Sequence, residues 1–100
     1  GLYEKACKGK DGLGCFNLGN VYRLGEGVKV DLQAAFDNFK KSCDLDQAKG
    51  CTEQAIMYYE GKPVPKDEQK AVELLGKACK LGSQPACKNL EILKKAAAGK

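Results

Sequence analysis

The sequence predicts an all-α solenoid of antiparallel helix pairs with a 36-residue repeat, and two observations carry that prediction. Cys7, Cys43 and Cys79 lie 36 residues apart, as do Cys15, Cys51 and Cys87, and self-similarity at a fixed period of this length is the mark of a repeat array. The rest of the chain keeps the same register without a gap: Tyr22 falls on Tyr58, Gly25 on Gly61, Val28 on Val64, Asp31 on Asp67, Ala35 on Ala71 and Gly14 on Gly50.

Within one unit, "CFNLGNVYRLGEGVKVDLQAAFDNFKKSC" breaks into two apolar-periodic segments around a Gly-rich turn, which reads as helix, turn, helix. The first helix is expected over about residues 13 to 24, with Leu18, Gly19, Val21 and Tyr22 on one stripe, and "GEG" stops it because glycine enters the left-handed conformation of a helix end at little cost. The second helix starts after Asp31, whose carboxylate suits an N-cap, and carries Ala34, Ala35, Phe36 and Phe39 toward Cys43.

The next unit repeats the plan. A first helix is expected from Cys51 to Glu60, then the turn "GKPVPKD", then a second helix behind Asp67 with Ala71 to Cys79. The opening "LYEKAC" matches "NFKKSC" and "LLGKAC", so the array is expected to start in mid-repeat. Its parts are residues 1 to 8 as the end of a preceding helix, repeats over 11 to 44 and 47 to 81, and a terminal capping helix within 83 to 97, all in one solenoid over 1 to 100. In that last helix the expected Tyr and Gly have become Lys94 and Ala97, the polar character of a capping element, and "AAAGK" reads as a fraying end. Gly19 and Ala55 share one register position and are expected to permit close approach between helix pairs. Tyr22 and Tyr58 are read as core packing.

Composition bounds the function classes. Apolar residues make up 43% of the 100 residues and charged residues 30%, which suits one soluble domain and leaves no membrane span. Basic residues outnumber acidic ones 17 to 13, but Arg23 is the only Arg and the lysines are scattered; phosphate binding wants a clustered stripe, so nucleic acid is not an expected partner. The opening "GLYEKACKGK" holds neither an initiator Met nor an apolar signal segment, so any export signal is expected to have been removed or to lie outside this sequence.

Leu18, Gly19, Tyr22, Gly25, Gly27, Val28 and Asp31, with the pair Ala34 and Ala35, resemble the pattern of Sel-1-like repeats, relatives of the tetratricopeptide repeat. The match runs over nearly the whole chain, and the added Cys pair per repeat is similar to the Helicobacter cysteine-rich proteins. The resemblance implies a right-handed superhelix, a periplasmic or secreted location, and full members with more repeats than this chain. Gln54 stands where the family usually shows Leu. The resemblance also brings a penicillin-binding and weak β-lactamase label, with a β-lactam or peptidoglycan-like small molecule as an alternative ligand, and some such repeat proteins serve as periplasmic immunity or adaptor proteins.

Six cysteines invite four readings. A zinc site wants C-x-x-C pairs or His, and neither occurs, so no metal and no cofactor is expected. A redox switch wants a distinctive close pair, whereas each repeat offers the same spacing. A nucleophilic thiol needs a base, normally His, and the sequence has none. Disulfides fit: Cys43 ends a second helix and Cys51 opens the next first helix, so pairs 7–15, 43–51 and 79–87 tie adjacent repeats outside a reducing compartment. Each closes a loop worth about 2.5 kcal/mol by chain entropy.

No catalytic residue stands out: Ser42 and Ser83 are the only serines and neither begins S-x-x-K. The favoured reading is a protein- or peptide-binding module, since a solenoid presents a concave wall lined by the first helix of each repeat. By register with tetratricopeptide-like repeats, that wall would carry Phe16, Asn20 and Arg23, then Thr52, Ile56 and Tyr59, then Lys88, Ile92 and Lys95. Asn20, Arg23 and Lys95 suit a peptide backbone or carboxylate. For Ile56 and Ile92, packing on a neighbouring helix is the slightly preferred reading; for Arg23 and Tyr59, binding is.

Overall fold

The computed structural model describes residues 2–98. Among them six helices follow one another: α1 (Leu2–Lys8), α2 (Gly12–Leu24), α3 (Leu32–Asp44), α4 (Ala48–Glu60), α5 (Glu68–Lys80) and α6 (Gln84–Ala98). The described residues contain no strand. Each helix packs on the next in sequence, and α2 also touches α4, giving an elongated body of 45 × 26 × 16 Å. No helix among the described residues is long and apolar enough to cross a membrane. The end of the expected fraying tail, Gly99 and Lys100, lies outside the described residues, as does the side chain of Ala97.

The helix ends are where the residue types foretell them. Asp31 accepts from the Ala34 amide at 3.0 Å and Asp67 from the Lys70 amide at 3.0 Å, each satisfying a donor that the first helical turn leaves unpaired. Gly25 and Gly61 close α2 and α4 with φ of 73° and 75°, a left-handed geometry that costs a side-chain-bearing residue about 1–2 kcal/mol. The turn between paired helices is then pinned identically in both repeats: the Asp31 amide donates to the Tyr22 carbonyl and the Asp67 amide to the Tyr58 carbonyl, each at 2.9 Å. One boundary differs from expectation. Helix α4 begins at Ala48 instead of Cys51 because the Gln47 side chain accepts from the Lys49 amide at 3.4 Å and caps it.

Two apolar clusters form the core. Ala35, Phe36, Phe39 and Met57 gather with Phe16, Tyr22, Tyr58 and Val64; Cys43, Cys51, Ala55, Ala71, Leu75, Ala78 and Ala86 gather with Tyr58, Leu74, Leu90 and Leu93. Tyr58 belongs to both and meets Phe36 edge to face at 5.5 Å, an arrangement aromatic quadrupoles favour. Gln54, the departure from the family pattern, is buried in α4.

The small residue at Gly19 has a different partner from the one expected. A Cβ there would collide with the ring of Phe39, so Gly19 accommodates the other helix of its own pair. The close approach between pairs is made instead by Gly14, set against Ala6 and the Cys7 backbone, and by Gly50, set against Ser42 and the Cys43 backbone. Those two glycines sit at the joints where the disulfides lie. Cys7–Cys15, Cys43–Cys51 and Cys79–Cys87 are bonded with Cα separations of 4.4, 4.4 and 4.7 Å.

Candidate functional site

Helices α2, α4 and α6 share a face marked by three hollows. The first, about 250 Å³, lies between α4 and α6 over α5, lined by Ile56, Tyr59, Leu75, Asn89, Ile92 and Leu93 together with Ala55 and Ala71. Its lining is mostly hydrocarbon, with Asn89 the one polar side chain besides the Tyr59 hydroxyl. Ile56, Tyr59 and Ile92 remain 39%, 43% and 63% exposed.

The second hollow, about 590 Å³, opens on the other side of Ile56 and Tyr59 and is lined by charged groups: Arg23, Glu53, Glu60, Lys62 and Lys66, with Leu32 and Met57. Arg23 donates Nε–H and Nη2–H to Asn20 Oδ1 at 3.2 and 3.1 Å; the two residues stand one helical turn apart on α2. Lys66 Nζ lies 5.4 Å above the Tyr59 ring, a cation–π distance, and 3.9 Å from Glu68. Glu53 is half-buried, and desolvation pushes its carboxyl above the usual 4.5; Arg23 opposes that shift and Glu60 adds to it.

The third hollow, about 400 Å³, holds Phe16 and Thr52 with Lys49, Glu53, Ser83 and Pro85. Phe16 is partly built into the core, 5.9 Å from the Phe39 ring, with Lys49 Nζ 5.8 Å from its centroid. Thr52 Oγ1 donates to the Ala48 carbonyl at 3.0 Å.

Of the residues singled out by register, Arg23, Ile56 and Tyr59 come together in one hollow, Ile56, Tyr59 and Ile92 in the adjoining one, and Phe16 and Thr52 in the third. Lys88 and Lys95 are exposed on α6 and line none of the three. Sequence reasoning missed Glu53, Asn89, Lys62 and Lys66. For the first two a signal existed: Asn17, Glu53 and Asn89 occupy one register position and are polar in every copy. The lysines come from the turn, whose fold back over Tyr59 no helical period reports.

Both serines have structural employment. Ser42 is fully buried and donates to the Gly12 carbonyl at 2.7 Å; Ser83 accepts from the Ala86 amide at 3.3 Å at the start of α6. The Ser42 hydroxyl is thus spent on a buried bond, whereas nucleophilic opening of an acyl bond requires a free hydroxyl with a base beside it.

The Sel1 repeat family matches residues 12–47 and 49–83. Among solved structures, cysteine-rich protein B of Helicobacter pylori is 42% identical with a TM-score of 0.85, over 88% of this chain and 66% of that one. A Sel1 repeat protein of Oxalobacter formigenes, 24% identical over 88% of this chain and 36% of its own, has a TM-score of 0.80. A protective antigen of uropathogenic Escherichia coli, 22% identical over 89% and 19%, has a TM-score of 0.81; these last two show the fold alone. This chain thus spans less than two thirds of each. No curated protein matches it. With two helix pairs in the 36-residue register and the family pattern over most of its length, the chain belongs to the Sel1 repeat family.

Proposed function

We propose that the chain is an exported protein- or peptide-binding module that holds its partner along the concave wall of α2, α4 and α6. Sel1 repeats commonly mediate protein–protein interaction. The observation that carries the reading is that Ile56 and Tyr59, both well exposed, line two adjoining hollows, one apolar and one charged. An apolar anchor pocket beside convergent polar groups is what a peptide site needs. Three disulfides support export, because such bonds persist in oxidising compartments and are rare where glutathione keeps thiols reduced. Arg23 and Tyr59 are the proposed contacts of first rank, then Asn20, Ile56, Phe16 and Thr52; Lys88 and Lys95 would meet only a ligand that extends past the hollows. No observation favours a lactam-opening activity over this reading.

A peptide array probed with the oxidised protein tests it. The wild type should retain a defined subset of peptides, Tyr59→Ala should lose most of that signal, and Glu73→Lys, at an exposed position of α5 outside the hollows, should keep it. Equal signals for wild type and Tyr59→Ala would remove the wall from consideration.

A further inference from the structure

The two hollows that meet at Ile56 and Tyr59 ask for opposite chemistries, and their order along the wall specifies a ligand. Toward α6 the lining is Leu75, Ile92, Leu93 and the ring of Tyr59, with Asn89 as the one amide. Toward α2 it is Arg23, Lys62 and Lys66 against Glu53 and Glu60. The cations outnumber the carboxylates there, and burial disfavours the charge on Glu53. Arg23 is the cation best placed to recognise an anion. Asn20 takes two of its five N–H donors and holds the guanidinium in place, so the other three remain for a second acceptor. Adjacent helix axes lie about 8–10 Å apart; from the α4–α6 groove across α4 to Arg23 on α2 is thus about 10–15 Å, or roughly three to five residues of extended chain.

We propose, building on the concave-wall reading, that the partner is an extended peptide segment with one apolar side chain in the α4–α6 groove and a carboxylate three to five residues away on Arg23. Charge complementarity selects this occupant over an uncharged apolar one: three cations, Arg23, Lys62 and Lys66, line the hollow beside two carboxylates, one of them half-buried Glu53, and Arg23 keeps three N–H donors for an acceptor.

The probes are fluorescein-labelled peptides with one Leu followed, after two to four Gly or Ser residues, by Glu with an amidated end. A second series has Gln there with a free C-terminal carboxylate, and a third Gln with an amidated end. Fluorescence anisotropy reads binding to the oxidised protein at low salt. At one or more spacings the carboxylate-bearing peptides should bind at least fivefold tighter than the amidated Gln series. Arg23→Gln should erase that difference, and Ile92→Glu should abolish binding; both residues are exposed, so both variants keep the fold. The first two series together distinguish a side-chain carboxylate from a terminal one. Equal binding of all three series that is still lost in Tyr59→Ala would overturn the carboxylate assignment and leave the wall reading standing. No binding in any series would overturn the proposal, and the array result then decides the wall by itself. Self-association of the chain that Ile92→Glu abolishes would give the groove to a second copy and also overturn it.

Discussion

Ser42 Oγ donates to the carbonyl of Gly12 across 30 residues, at 2.7 Å, and Gly50 lies so close beneath it that a Cβ would strike the Ser42 side chain. One buried hydroxyl thus sits where the end of α3 meets both the start of α2 and the first turn of α4. Ser42→Ala should cost about 1 kcal/mol, the net value of one such bond, whereas Ser42→Leu should cost several times more because Gly50 and the Cys43 backbone leave no space. Chemical denaturation of the two variants measures both; equal losses would mean that the joint yields more readily than its packing indicates.

The disulfides should differ in importance by position. Cys43–Cys51 joins two complete helix pairs, so Cys43→Ser with Cys51→Ser should remove about 2.5 kcal/mol and lower Tm by roughly 10–20 °C for a domain of this size. Cys7→Ser with Cys15→Ser releases only α1, seven residues long and too short to stay helical alone. Its expected signature is a small loss of ellipticity and faster amide exchange confined to α1, with the main transition nearly unmoved. Thiol titration of the native wild type should find none of its six cysteines free.

Gly19 and Phe39 in the first repeat correspond by register to Ala55 and Leu75 in the second. The larger residue at one position accompanies the smaller at the other, as close packing demands. Gly19→Ala alone should destabilise by about 1–2 kcal/mol, the collision with the Phe39 ring outweighing a helix-propensity gain of about 1 kcal/mol. Adding Phe39→Leu copies the second repeat and should recover much of that loss. A double-mutant cycle with no coupling between the two sites would contradict the contact.

Glu53 makes stability depend on pH in a stated direction. Its carboxyl is raised above 4.5, chiefly by desolvation, so the folded chain holds this proton more tightly than the unfolded one. From the ordinary value upward its contribution therefore falls as pH rises, and it levels off once the folded-state group has ionised. Glu53→Gln should raise Tm at pH 7 and match the wild type at pH 4. Arg23, which favours the charged form, works against this trend, and Glu60 adds to it. Thermal scans at the two pH values check the sign; a variant less stable than wild type at pH 7 would show that attraction to Arg23 outweighs burial.

The amino-acid sequence by itself determined the period, the helix pairs and the joints, because each rests on local chemistry repeated in register. Asp31 and Asp67 cap because a carboxylate there meets a free amide, Gly25 and Gly61 turn because they lack a Cβ, and Cys43 and Cys51 face each other because two helix ends flank one short loop. Only the tertiary structure decided that Gly19 faces Phe39 within its own pair while Gly14 and Gly50 serve the contacts between pairs. It alone decided that Lys66 lies over the Tyr59 ring with Lys62 lining the same hollow, and that Ile92 joins Ile56 while Lys88 and Lys95 stand apart. The physical reason is range: a cap or a period is set within a few residues, whereas a hollow is the volume left between helices, and that depends on the sizes of side chains distant in sequence.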